Sequence, residues 1–217
     1  MHYGAFEETI VKAVPIDQIM FLDLEIHPYV EKPEDILNPS RQIIGIGIMY
    51  FKDNEPTLFI TDEEGEEGEL AILRSFDNFI KLRRPLLVVG YGISSFDRPF
   101  LTIKMKSQYR SEKLWIINDM IERAHFLGLA NPIRFYLYNK GYTEKPSFMS
   151  LEAVLEQQAF KDLPLRREEK KLAPKGEDFA EKGKRITQLW KENKEKFRMY
   201  LASDVYNCFV LYKFLYQ

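Results

Sequence analysis

The sequence predicts an α/β domain with a mixed central β-sheet flanked by helices, and three observations carry that reading. Short apolar runs with strand character, at 19–26, 42–51, 57–61 and 86–89, crowd the first half of the chain. Stretches with apolar residues at helical spacing are interspersed among them, as at Leu70, Leu73, Phe76, Phe79 and Ile80. A long helical stretch, 194–216, then closes the chain.

Composition sets the outer bounds. The 217 residues suit one domain with a sizeable core, and 45% apolar with 29% charged residues is ordinary for a globular protein. A net charge of -2 advertises no global affinity for nucleic acid, so any such surface is local. The single cysteine, Cys208, excludes an intrachain disulfide and a cysteine-rich zinc site, and fits a reducing interior. Glu7 and Glu8 stand where a signal peptide would need apolar residues, and no run approaches the ~20 apolar residues of a membrane helix. A cytoplasmic protein is expected.

Taken in order, residues 1–16 read as an irregular lead-in with a short edge strand. The first core strand, 19–26, is apolar except for Asp23 and Glu25. Three prolines make 27–40 a loop, and 42–51 is apolar enough for a central strand covered on both faces. A third strand at 57–61 precedes an acidic run, 62–69, which reads as a solvated loop lying away from any cleft. The 70–80 helix follows, then the 86–89 strand and a helix over 95–106. A short strand is expected at 114–117, with Asn118-Asp119 opening the next helix. Ser150 caps a helix over 150–158. Residues 161–185, dense in charge and punctuated by Pro164, Pro174, Gly176 and Gly183, read as a partly mobile insertion within a single domain spanning 1–217.

Four acids and a tyrosine carry the chemistry. On a strand, alternate side chains share a face, so Asp23 and Glu25 project together. Two acids in an apolar strand are costly to bury without a positive partner, and hard divalent cations prefer carboxylate oxygens. Asp97 follows Gly90-Tyr91-Gly92-Ile93-Ser94-Ser95-Phe96 just past the carboxyl end of a buried strand, a common place for ligands in α/β sheets. Asp204 lies one helical turn after Tyr200, on the same face of a largely apolar helix. Acids on three separate elements ask for two metal ions.

Asp23-Leu24-Glu25, then Gly90 to Leu101 with Asp97 within it, then Tyr200-Leu201-Ala202-Ser203-Asp204 resemble the three exonuclease motifs of the DEDDy 3′–5′ exonucleases. The resemblance is nearest to the proofreading domains of B-family DNA polymerases and covers about residues 17–215. It implies a ribonuclease H-like exonuclease fold. It also implies two Mg²⁺ or Mn²⁺ ions, with Asp23 bridging both, Glu25 and Asp204 completing one shell, and Asp97 serving the other. Such a pair of ions clamps the attacking and leaving oxygens of a phosphoryl displacement. Tyr200, with an ordinary pKa of about 10, orients water rather than acting as a base at neutral pH. The backbone at Leu24 and Ile26, together with Ser94, Ser95, Phe96 and Arg98, is implied to hold the terminal nucleotide. The expected partner is the 3′ end of single-stranded DNA, RNA or both, with replication or repair proteins as further partners.

The chain departs from the family pattern in two ways. Gly92 stands where the family has asparagine, and no polymerase segment follows the last motif before Gln217, so a free-standing exonuclease is expected. The variant of these nucleases that uses histidine is excluded, because Met199 occupies the histidine position. The Gly90-Tyr91-Gly92 turn is not a dinucleotide loop, since Ser95 replaces its last glycine and the turn does not follow the first strand. His2, His27 and His125 are read as surface or loop residues. Residues 161–198 hold thirteen Lys/Arg against eight Asp/Glu, a local balance of +5. With Arg98, Lys104, Lys106 and Arg110 they can grip a phosphate backbone, or simply form a solvated charged face. Three alternatives stay open: a structural salt bridge at the acids, an inactive nucleic-acid-binding scaffold, and an endonuclease of the same fold.

Overall fold

The computed structural model describes residues 3–27, 37–171 and 179–217. A five-stranded sheet in the order β3-β2-β1-β4-β5 lies at its centre. The strands are β1 (Ile19–His27), β2 (Gln42–Tyr50), β3 (Thr57–Ile60), β4 (Leu87–Gly90) and β5 (His125–Gly128). β1 and β3 pair antiparallel with β2, whereas β4 runs parallel to β1 and β5. The sheet is mixed, as expected. Its helices are α1 (Tyr3–Ala13), α2 (Glu66–Ile80), α3 (Asp97–Lys106), α4 (Trp115–Arg123), α5 (Ala130–Asn139), α6 (Leu151–Leu155), α7 (Phe179–Glu192) and α8 (Lys194–Tyr216). No helix among the described residues is long and apolar enough to cross a membrane.

The two faces of β1 have different fates. Met20, Leu22, Leu24 and Ile26 join the core beneath α2, α3 and α4, with Leu73, Phe76, Phe100 and Ile117. Ile19 and Phe21 join the opposite core, with Val205, Cys208, Leu211 and Tyr212 of α8. Asp23 and Glu25 continue that second face and are only half-buried.

Two glycines let α8 come close enough to meet them. Gly47 pairs with Asp23 and Gly45 with Glu25, and residues directly opposite in an antiparallel pair share a face. A Cβ on Gly47 would stand 2.8 Å from Val205 Cγ2 and 3.0 Å from Leu201 Cδ1. On Gly45 it would meet Leu201 Cδ2 at 2.9 Å and Phe197 Cζ at 3.1 Å. Helix α8 therefore rests almost on the backbone of β2. Farther along, Phe21 packs edge-on against Phe209 and Tyr212, with ring centroids 5.4 Å apart in both pairs, each adding about 0.5–1.5 kcal/mol beyond its buried area.

Several elements differ from the sequence expectation. Residues 3–13 form a helix rather than an edge strand, with Glu8 and Lys12 paired one turn apart and Val11 buried. The acidic run is not wholly a loop: α2 already begins at Glu66, and Glu69 is buried. Its carboxylate accepts the Ile43 N–H at 2.9 Å, and the Lys104 ammonium and Tyr109 hydroxyl at 2.7 Å each. Lys104 is thus spent inside the fold, unavailable to a phosphate backbone. Residues 115–117 are helical, because the Asp77 carboxylate caps the first turn of α4 through the Ile117 N–H at 2.8 Å. The strand expected there lies instead at β5, and α5 had no counterpart in the sequence reading. Ser150 caps α6 as expected, accepting the Ala153 N–H at 3.3 Å. Within 27–40 and 161–185, positions 28–36 and 172–178 lie outside the described residues.

The close approach of α8 predicts a difference between two glycines. Gly47→Ala should cost about 1–3 kcal/mol in urea unfolding, as overpacking does. Gly92→Ala, whose Cβ would meet only Ser95 Oγ at 3.8 Å, should change stability by less than about 0.5 kcal/mol.

Candidate metal centre

The packing of α8 on β1 and β2 brings three of the four predicted acids together. Carboxylate oxygens of Asp23, Glu25 and Asp204 all lie within 4.8 Å of one another, an arrangement that can hold a metal ion. Asp204 is buried at 5% exposure, on the α8 turn that follows Tyr200. Three hard oxygen donors from a rigid strand and a rigid helix suit Mg²⁺ or Mn²⁺.

Asp97 stands beside this triad rather than in it. It opens α3 at the carboxyl end of β4, is buried, and accepts the Leu24 N–H at 3.0 Å through Oδ1. The bond fastens the α3 terminus to the backbone between Asp23 and Glu25. It also uses the Leu24 N–H, which therefore does not remain for a nucleotide.

The cluster is electrostatically uncomfortable, and the pKa shifts say so. Burial, then the charges of Asp204, Glu25 and Asp97, raise the Asp23 carboxyl well above the usual carboxylate range. Burial also pushes Asp97 up, to about 7, despite its hydrogen bond from Leu24. Tyr200 is buried among Ile44, Ile186, Trp190 and Phe197, and burial together with Asp204 raises its hydroxyl well above its ordinary value. It keeps its proton at neutral pH.

Two charged residues that sequence reasoning missed complete the site. Lys170, in a short 3-10 turn at Glu168–Lys170, is only 4% exposed, and its ammonium contacts Asp204 Oδ1. It also lies 3.3 Å from Glu152 Oε1 on α6 and 3.9 Å from the centre of the Tyr200 ring. Burial alone would lower the lysine pKa, but Asp204 and Glu152 outweigh it and hold the ammonium charged. The salt-bridge alternative is therefore present in part, at Asp204. Composition offered no signal for it: Lys170 sits in the stretch read as a charged insertion, 34 positions before Asp204.

The other residues expected to hold the nucleotide also make local contacts, and Ser94, Ser95 and Arg98 remain exposed. Ser94 Oγ donates to the Phe126 carbonyl at 3.2 Å and Ser95 Oγ to the Gly92 carbonyl at 2.9 Å. Phe96 stacks on Phe100 with ring centroids 5.8 Å apart, and the Leu24 and Ile26 side chains are buried in the core. Arg98 turns toward the Phe126 ring and the Ile121 carbonyl. His27 is not a free surface group: its ring packs 5.2 Å from that of Trp190.

No family model matches the chain, and no curated protein matches it. Among solved structures, it is similar to the family B DNA polymerase from the hyperthermophilic archaeon Pyrobaculum calidifontis, with 15% identity and a TM-score of 0.61. The likeness covers 91% of this chain and 24% of the polymerase chain, so this chain spans about a quarter of that protein's length. At that identity it shows a shared fold.

The raised carboxyl pKa values predict opposite pH trends for the two forms of the site. Between about pH 4 and 7 the folded metal-free protein holds a proton on Asp97 that the unfolded chain has released. The stability this contributes is lost as pH rises through about 7, so melts in EDTA should show Tm falling from pH 5 to 8. A divalent ion needs ionised ligands, so the Tm gain on adding Mn²⁺ should widen over the same range.

Proposed function

We propose that this chain is a metal-dependent 3′–5′ exonuclease that hydrolyses phosphodiester bonds at the 3′ ends of single-stranded DNA, RNA or both. The observation that carries the reading is the meeting of Asp23, Glu25 and Asp204 oxygens within 4.8 Å, from two of the three resembling motifs. The fold likeness to a family B DNA polymerase supports it, and we read the five-stranded mixed sheet as ribonuclease H-like.

Divalent ions at such a site supply positive charge to the attacking and leaving oxygens of the phosphodiester. Asp23, Glu25 and Asp204 hold the first ion, and the resemblance assigns Asp97 to a second. Tyr200 keeps its proton and donates it as a hydrogen bond that orients the attacking water. Asp97 and Asp204 are buried, and the lower local dielectric around them strengthens their charge interactions.

Segment 130–149 supplies the track for the strand. The Ala130 N–H bonds the Tyr91 carbonyl at 3.2 Å and the Tyr91 hydroxyl bonds the Met149 carbonyl, so both ends are fastened to the turn leading to Asp97. Phe135, Tyr138, Tyr142 and Phe148 are exposed along it, interleaved with Arg134, Lys140 and Lys145. Aromatic faces accept any base, and the cations follow the phosphates.

The inactive scaffold is the second reading, and the Lys170–Asp204 contact favours it, because an ammonium partly neutralises the acids without any ion. One assay separates the two. With 5′-labelled single-stranded DNA and RNA, Mg²⁺ or Mn²⁺ should give a ladder shortening from the 3′ end, abolished by EDTA and by Asp23→Ala. A mobility shift without cleavage supports the scaffold, and internal cuts support an endonuclease. Phe148→Ala should weaken binding of the single strand by about 1–3 kcal/mol in fluorescence anisotropy, the usual worth of one stacked base.

A further inference from the structure

Lys170 does more than fill a gap among acids. Its turn is clamped at both sides: the Arg166 N–H donates to Asn207 Oδ1 at 2.8 Å, and Asn207 Nδ2 donates to the Arg166 carbonyl at 3.2 Å, which ties it to α8 one turn beyond Asp204. On the other side Arg167 Nε donates to the Leu155 carbonyl of α6 at 2.9 Å. The backbone is fixed, so any adjustment at this position belongs to the lysine side chain.

That side chain faces two carboxylates of unequal standing. Asp204 belongs to the metal triad, whereas Glu152, at 3.3 Å from the ammonium, stands outside it on α6. An ammonium and a divalent ion seek the same lone pairs on Asp204, and two cations that close repel each other strongly in a buried site.

We infer that Lys170 is the resident counter-ion of the metal-free cluster, that a divalent ion enters by taking Asp204 from it, and that Glu152 receives the displaced ammonium. The inference rests on the metal-site reading above. It makes Lys170 a built-in competitor of the ion, and Glu152 the residue that sets how hard it competes. If Lys170 merely positioned Asp204 as a ligand, its removal would act with the opposite sign.

Calorimetric titration of the metal-free full chain with Mn²⁺, without nucleic acid, tests this. Lys170→Met, which keeps the unbranched stem without the ammonium, should bind Mn²⁺ on the order of tenfold more tightly, because a nearby positive charge is gone. Glu152→Gln should bind more weakly than the unmodified protein, since the lysine then loses the carboxylate outside the triad and leans harder on Asp204. The double variant should behave as Lys170→Met, because Glu152 acts through the lysine. Lys170→Arg, which keeps the charge, should stay on the weak side.

Unchanged or weaker Mn²⁺ binding by Lys170→Met overturns the inference, as does a Glu152→Gln effect that persists without the lysine. If Lys170→Met fails to fold, Glu152→Gln alone decides: tighter or unchanged binding overturns it. The readout is metal occupancy, so its failure is distinct from that of the exonuclease reading. Tight binding without cleavage refutes the exonuclease and keeps the competitor, whereas cleavage with unchanged affinities does the reverse.

Discussion

Helix α8 touches the sheet where β2 presents hydrogen atoms instead of side chains. Gly45 and Gly47 lie opposite Glu25 and Asp23, and Leu201 and Val205 settle into the space a methyl would fill. Without that approach, Asp204 would stand off from β1 by the thickness of a side-chain layer. The three carboxylates would then share no ion. One packing constraint thus creates both the core contact and the chemistry.

The same closeness stores electrostatic cost. Burial raises the carboxyl pKa values of Asp23 and Asp97, and the neighbouring carboxylates, Asp204 foremost, add to the effect. A single buried lysine relieves part of it. Sites with that imbalance hold cations well because binding removes repulsion that the fold has already built in. Stability and metal affinity are therefore coupled at such a site: the residues that repel one another most without an ion are those suited to hold one.

Much of this was legible in the sequence, for identifiable reasons. Period-two burial put Asp23 and Glu25 on one face, and a four-residue step put Tyr200 with Asp204, because both rules depend only on local backbone geometry. The last helix likewise matched its expected span. What stayed hidden depended on distant partners. The 114–117 run is too short for periodicity to separate strand from helix, and the Asp77 cap that decides it comes from 40 positions away. Glu69 looked like one more solvated acid until Lys104, Tyr109 and Ile43 closed around it. Lys170 and Glu152 gave no sign either, since composition does not distinguish a buried lysine from a solvated one. Gly45 and Gly47 read as part of an apolar strand, and only the helix above them reveals why side chains are excluded.

The most direct test of the central claim is diffraction from crystals soaked in Mn²⁺, using the anomalous signal of manganese. A peak bounded by oxygens of Asp23, Glu25 and Asp204 is expected. Crystals that show no peak there, or manganese bound only elsewhere with Lys170 still seated on Asp204, would contradict it.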